Sequence, residues 1–242
     1  MQLHVQAFAL PKAGNRPEEY EDAWATDLAM GRLAVADGAS DSFESRIWAH
    51  ALAEAFVRAP PPTDGVLAWL AEPAQVWREH IHWDQLTWYA AEKARRGAFA
   101  TLLGLTIDAG ADAAVTWHAL ALGDACLLHV CGAALLTAFP LTASADFGNA
   151  PPLLATRPEY SRRSLEELQT ARGTLATGDL LLLATDAMAA WLLHEIEADR
   201  HPWAALVGLD EAGFAALVDR LRAEGALRND DVTLLIVGVE EA

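Results

Sequence analysis

Acidic residues punctuate the ends of apolar runs in this chain. Asp37 follows Leu33-Ala34-Val35-Ala36, Asp124 follows Leu120-Ala121-Leu122-Gly123, Asp186 follows Leu181 to Thr185, and Asp230 stands just ahead of Val232 to Val237. A carboxylate at the end of a buried strand is held at the rim of a sheet, and several brought together repel one another unless protons or cations neutralise them. Hard divalent ions such as Mg²⁺ and Mn²⁺ take oxygen donors. A pair of them activates water as a nucleophile and neutralises a phosphoryl group during in-line displacement. The pattern therefore points to a divalent-metal site. Taken singly, each acid also has a plain reading: Asp37-Gly38 and Gly123-Asp124 as turns, Asp186 as a helix cap, Asp230-Asp231 as a solvated loop, and Glu21-Asp22 as the end of an acidic surface run.

The elements that must position these acids follow from periodicity. Strands are expected over about 3–10, 23–28 and 32–37, with the Pro- and Gly-bearing segment 11–22 as a loop. Phe43, Ile47, Trp48, Ala51, Leu52, Ala55 and Phe56 recur at helical spacing until Pro60-Pro61-Pro62 stops them. A second helical stretch covers roughly 73–95, and a meander of strands follows over about 98–107, 113–122, 125–131 and 134–138. The segment 140–163 reads as a long loop, Ser164-Leu165-Glu166-Glu167 as a capping box, and 180–185 as a strand. Helices carry Met188 to Ile196 and, after an Asp210 cap, Phe214 to Leu221; a strand over 232–239 ends the pattern. Antiparallel runs with helices arriving in pairs argue for packed sheets covered by helices, and against a doubly wound parallel sheet.

At 242 residues, with 53% hydrophobic and 21% charged residues, the chain has the composition of a globular body with a substantial core. We expect one domain over 1–242. Its formal net charge of −17 repels phosphate backbones and anionic lipid while concentrating cations, so neither nucleic acid nor membrane is an expected partner. No basic-then-apolar leader and no spanning apolar run is read in the sequence, which gives a cytoplasmic expectation. Cys126 and Cys131 lie five apart on one expected strand, hence on opposite faces, and are read as core residues that neither bridge nor share zinc. His80 and His82 lack a third ligand nearby. Gly-x-Ser-x-Gly and the common nucleotide-binding glycine motifs are missing.

In order along the chain, Tyr20-Glu21-Asp22-Ala23, Val35-Ala36-Asp37-Gly38, Leu122-Gly123-Asp124-Ala125, Leu183-Ala184-Thr185-Asp186 and Asp230-Asp231-Val232-Thr233 resemble the motifs of the PP2C-type (PPM) metal-dependent serine/threonine protein phosphatases. The resemblance implies an α+β fold, a β-sandwich of two antiparallel sheets flanked by helices in four αββα layers. It also implies two Mn²⁺ or Mg²⁺ ions at one end of the sandwich. Asp37 would bridge both ions, Glu21 and the Gly38 carbonyl would serve one, and Asp186 with Asp230 the other. Asp22 would orient the attacking water, and Asp124 would help hold a weaker third ion. The implied activity is hydrolysis of phosphoserine or phosphothreonine in a protein substrate, within a cognate Ser/Thr kinase system, by a monomer.

The chain departs from that pattern at informative places. Ala39, Ser40 and Asp41 follow Asp37-Gly38, so the general acid of that place is missing. The phosphate-binding Arg expected four residues before Glu21 is Pro17, leaving Arg16 as its substitute. Ala187 and Ala190 replace a Gly and an Asp after Asp186. Two alternatives follow: a catalytically weakened binding or regulatory module, and a hydrolase of small phosphomonoesters.

Overall fold

The computed structural model describes residues 2–109 and 115–240. The chain opens with β1 (Gln2–Leu10), β2 (Ala23–Asp27) and β3 (Arg32–Ala36), then helices α1 (Ser45–Arg58), α2 (Val66–Trp69), α3 (Ala71–His80) and α4 (Trp88–Arg96). Strands β4 (Phe99–Ala100), β5 (Leu102–Ala109), β6 (Val115–Leu122), β7 (Cys126–Cys131), β8 (Ala134–Phe139) and β9 (Leu154–Ala155) follow. After α5 (Pro158–Ser161) come β10 (Gln169–Leu175), β11 (Asp179–Ala184), α6 (Asp186–Glu197), α7 (Trp203–Leu206), α8 (Glu211–Ala223) and β12 (Val232–Glu240).

Two five-stranded antiparallel sheets result, with orders β1-β12-β11-β7-β8 and β10-β6-β5-β3-β2. The two-residue period of a strand sorts the side chains into layers. On β3, Leu33 and Val35 enter the core between the sheets, while Ala34 and Ala36 face the helical side. On β11, Leu181 and Leu183 face the other sheet, while Leu182 and Ala184 lie with α6 and α8. Three apolar cores therefore separate four layers: helices α1 and α3, the two sheets, and helices α6 and α8. This is the expected αββα sandwich. Among the described residues no helix is long and apolar enough to cross a membrane.

Several boundaries differ from the sequence expectation, each for a local reason. The strand expected over 98–107 is broken at Thr101 into β4 and β5. Of the strand expected over 113–122, residues 113–114 lie outside the described residues. The helix expected over 73–95 is two helices, because 81–87 leave helical geometry around a short 3-10 turn at Trp83–Gln85. Ser164–Glu167 is a 3-10 turn whose N-cap is Arg163 and has no side-chain cap bond, so the capping box does not form. The long loop 140–163 contains β9, α5 and a turn at Ser144–Asp146. Strand β10 was not expected: only Ala171, Gly173 and Leu175 turn inward between exposed polar residues, too small an apolar signal to read, and it is an edge strand held by pairing with β6. Cys126 is buried but Cys131 is exposed, against the expectation of two core thiols.

Small residues set how closely α1 approaches its sheet. Ala34, Ala36 and Gly104 leave room for the helix, and a Cβ at Gly104 would collide with the Phe56 ring. Replacing Gly104 with Ala is expected to destabilise the protein by about 1–3 kcal/mol through this overpacking. Urea unfolding checks it, as a lower midpoint with an unchanged slope.

Candidate metal centre

At one end of the sandwich three loops are tied together through Thr101 and the Asp37 loop. The Asp37 amide donates to Thr101 Oγ1 at 3.1 Å, and the Thr101 amide donates to the Asp37 carbonyl at 2.9 Å. Gly123, at a positive φ of 111°, packs where a Cβ would stand 2.5 Å from the Thr101 side chain, which brings the Gly123-Asp124 turn against the same spot. Gly38 is required for a similar reason: a Cβ there would lie 2.7 Å from the Glu21 carbonyl and 2.9 Å from the Ser45 backbone. The break between β4 and β5, which no sequence pattern announced, is thus a junction of the site.

A second junction joins the two sheets. Buried Asp22 accepts from the Thr185 hydroxyl at 2.8 Å and the Thr233 hydroxyl at 2.7 Å through one carboxylate oxygen. The Thr233 amide donates to Thr185 Oγ1 at 3.0 Å, and the Thr185 amide to the Thr233 carbonyl at 3.1 Å. Asp231 accepts from the amides of Lys12 at 2.8 Å and Glu21 at 2.6 Å, which anchors the start of β12 against the loop before β2.

These junctions place Asp37, Gly38, Asp124, Asp186 and Asp230 on one cleft of about 830 Å³. Asp124 and Asp186 are buried, and Asp37 and Asp230 are partly so. Asp22 is buried beside them, close enough that its charge raises Asp37. Glu21 is different: its carboxylate lines the neighbouring cleft, accepting from the Ser45 hydroxyl at 2.5 Å and from Ser40, with Lys12 Nζ at 3.9 Å. Arg16 is exposed and lines neither cleft.

Two cations that sequence reasoning missed sit among the acids. Arg228 forms an ion pair with Asp186 and lies 3.5 Å from Asp230, and Lys12 lies 3.7 Å from Asp230. Both occupy loops, where no periodicity singles out a basic residue. Their compensation is partial. Burial is the largest cause raising Asp37 well above the usual carboxylate range, followed by the charges of Asp22, Asp124 and Asp230. Burial likewise pushes Asp22 up to about 7 and raises Asp124.

The donor set fits hard cations. It is all oxygen, it carries more buried negative charge than Lys12 and Arg228 offset, and Asp124 Oδ1 is buried with no hydrogen-bond partner among the described residues. The acids converge on the cleft without forming a closed cage: among the described residues, no group of three or more His, Cys, Asp or Glu meets the geometry of an ion site.

A pH dependence follows for protein stripped of divalent ions. The unfolded chain loses the Asp22 proton in the ordinary carboxylate range, whereas the folded protein keeps it until about pH 7. The folded state then binds more protons, so stability declines as pH rises through that interval. Asp22→Asn keeps an acceptor for both threonine hydroxyls and is expected to flatten the decline. Unfolding titrations in chelator across that interval check this, and an unaltered slope in the variant would contradict it.

Comparison with known proteins supports the architecture. No family model matches the sequence, and no curated protein matches it. Solved structures do match in fold. A Mycobacterium tuberculosis serine/threonine phosphatase, PstP/Ppp, aligns with a TM-score of 0.60 at 18% identity over 100% of both chains. The catalytic domain of PstP in complex with two manganese ions gives 0.61 at 17% identity over 99% of each chain. Stp1 from Staphylococcus aureus gives 0.61 at 15% identity, covering 100% of this chain and 96% of that one. The chain has the fold of the PP2C-type serine/threonine phosphatases, at 15–18% sequence identity to these three.

Proposed function

We propose that this chain is a metal-dependent phosphoprotein phosphatase acting on phosphoserine or phosphothreonine, with residues 1–242 as a single catalytic domain. The observation that carries the reading is the convergence of Asp37, Asp124, Asp186 and Asp230 on one cleft of a phosphatase fold. Asp37, the Gly38 carbonyl, Asp186 and Asp230 would hold two Mn²⁺ or Mg²⁺ ions; Glu21 would join them only by turning its carboxylate from Ser40 and Ser45 and the neighbouring cleft. Such ions supply an activated water and neutralise the phosphoryl oxygens. Asp124 is assigned to a weaker third ion, although Ala190 removes the second carboxylate that the resemblance leads one to expect for it.

The chain's own groups do the rest. Asp22 orients the water, its carboxylate fixed by Thr185 and Thr233. Arg228 lines the same cleft beside Asp186 and Asp230 and is assigned to the phosphoryl oxygens in place of Arg16, whose position outside the cleft argues against that role. A planar guanidinium suits that task, since its donors match phosphate oxygens in pairs. The reading includes a cytoplasmic monomer serving a Ser/Thr kinase system.

A second reading, a regulatory module that binds phosphorylated partners without turnover, is favoured by Pro17, Ala39 and Ala190. Turnover of phosphopeptides and of p-nitrophenyl phosphate with added Mn²⁺ separates the two. Asp37→Asn and Asp186→Asn are each expected to lower kcat/KM about a hundredfold or more, since even indirect supports of a metal ligand are worth roughly ten- to a hundredfold. Isothermal titration with Mn²⁺ should show the matching loss of ion binding. Arg228→Gln is expected to raise KM and weaken inhibition by inorganic phosphate while Mn²⁺ binding persists. Phosphate inhibition unaffected by that change would contradict the role of Arg228.

A further inference from the structure

We propose that helix α4 reads the substrate sequence, selecting phosphopeptides with acidic residues beside the phosphorylated one; the inference rests on the phosphatase reading of the cleft. Tyr89, Lys93 and Arg96 recur at i, i+4 and i+7, so they share one face of the helix, and all three line the wall of the cleft that holds Asp37. Lys93 and Arg96 make no ion pair among the described residues. Glu92, the one acid that α4 brings to this cleft, is engaged by Arg95 at 3.2 Å. In a chain of net charge −17, two uncommitted cations on the wall of a substrate cleft invite anionic ligand groups that the rest of the surface repels.

The placement of this wall is fixed relative to the acids. Gly97 ends α4 at a positive φ of 86°, and the Thr156 side chain occupies the space a Cβ would need. The next residues run directly into the metal loop: the Ala39 amide donates to the Phe99 carbonyl at 2.9 Å, and Gly38 bridges Ala100. Arg96 thus stands three residues from backbone bonded to the segment that carries Asp37. At the other end of α4, Trp88 is 82% exposed and Tyr89 is 68% exposed, an apolar surface beside the cationic face on which a peptide backbone can lie. Arg228 lines the same cleft beside Asp186 and Asp230, so a peptide with its phosphate at the acids would place its neighbouring side chains within reach of α4.

The test uses three phosphothreonine peptides that differ only in having acidic, alanine or basic neighbours, measured for kcat/KM with Mn²⁺ and for binding by fluorescence anisotropy. Wild type is expected to favour the acidic peptide over the alanine peptide roughly fivefold or more, and higher salt should shrink that ratio. In Lys93→Glu/Arg96→Glu, and in the charge-neutral Lys93→Met/Arg96→Gln, the ratio should fall to near one or below. Thermal melts identify any unfolded variant, in which case the other decides. Equal preference in wild type, or a ratio that survives both double substitutions, overturns the inference. If no peptide is turned over, the catalytic reading fails and binding alone decides: acid-selective binding lost in the variants upholds the role of α4, and unselective or undetectable binding ends it.

Discussion

Negative charge that the fold cannot hide is the constraint around which this molecule is organised. Apolar strands carry Asp37, Asp124, Asp186 and Asp230 to one end of the sandwich, and Asp22 is buried under them. Taking a carboxylate out of water costs several kcal/mol unless a partner repays it, and like charges nearby add to that cost. Among the described residues Lys12 and Arg228 pair with the cluster and Arg222 stands near Asp230, yet Asp37, Asp22 and Asp124 remain raised above the usual carboxylate range. An arrangement so costly in the ion-free state is understandable if divalent cations complete it.

Rigid placement of those acids depends on hydroxyls and small residues rather than on further charge. Thr185 and Thr233 hold Asp22 across the two sheets, and Thr101 ties the Asp37 loop to the Gly123-Asp124 turn. Gly38 admits the close approach of the Glu21 and Ser45 backbones. Because β3 and β11 end and β12 begins at these junctions, packing of the three apolar cores is transmitted directly to the geometry of the cleft. Around the acidic floor the lining of the cleft carries Lys93, Arg96 and Arg228 together with Asp41 and Glu92.

Where burial decides structure, the residue pattern was readable. The apolar runs of β3, β11 and β12 were recognised as strands, and the helical spacing from Phe43 to Phe56 marked α1. Convergence of Asp37, Asp124, Asp186 and Asp230 on one cleft was expected from the order of the motifs that resemble the phosphatase family. Features governed by partners distant in sequence were not readable. Strand β10 has too little apolar content to be recognised without β6, and the break at Thr101 depends on hydrogen bonds to Asp37. Arg16 was chosen by its neighbourhood in sequence, yet it lies outside both clefts, while Arg228 and Lys12 reach the acids from loops. The face of α4 needed the path of the following strand before Lys93 and Arg96 could be related to Asp37.

The most direct measurement is anomalous diffraction from crystals grown with Mn²⁺. Two peaks about 3.5–4 Å apart, bridged by the Asp37 carboxylate and flanked by Asp186 and Asp230, are expected of a binuclear centre. Well-ordered crystals with no manganese at Asp37, or with Arg228 and Lys12 still seated on the acids at saturating Mn²⁺, would contradict it.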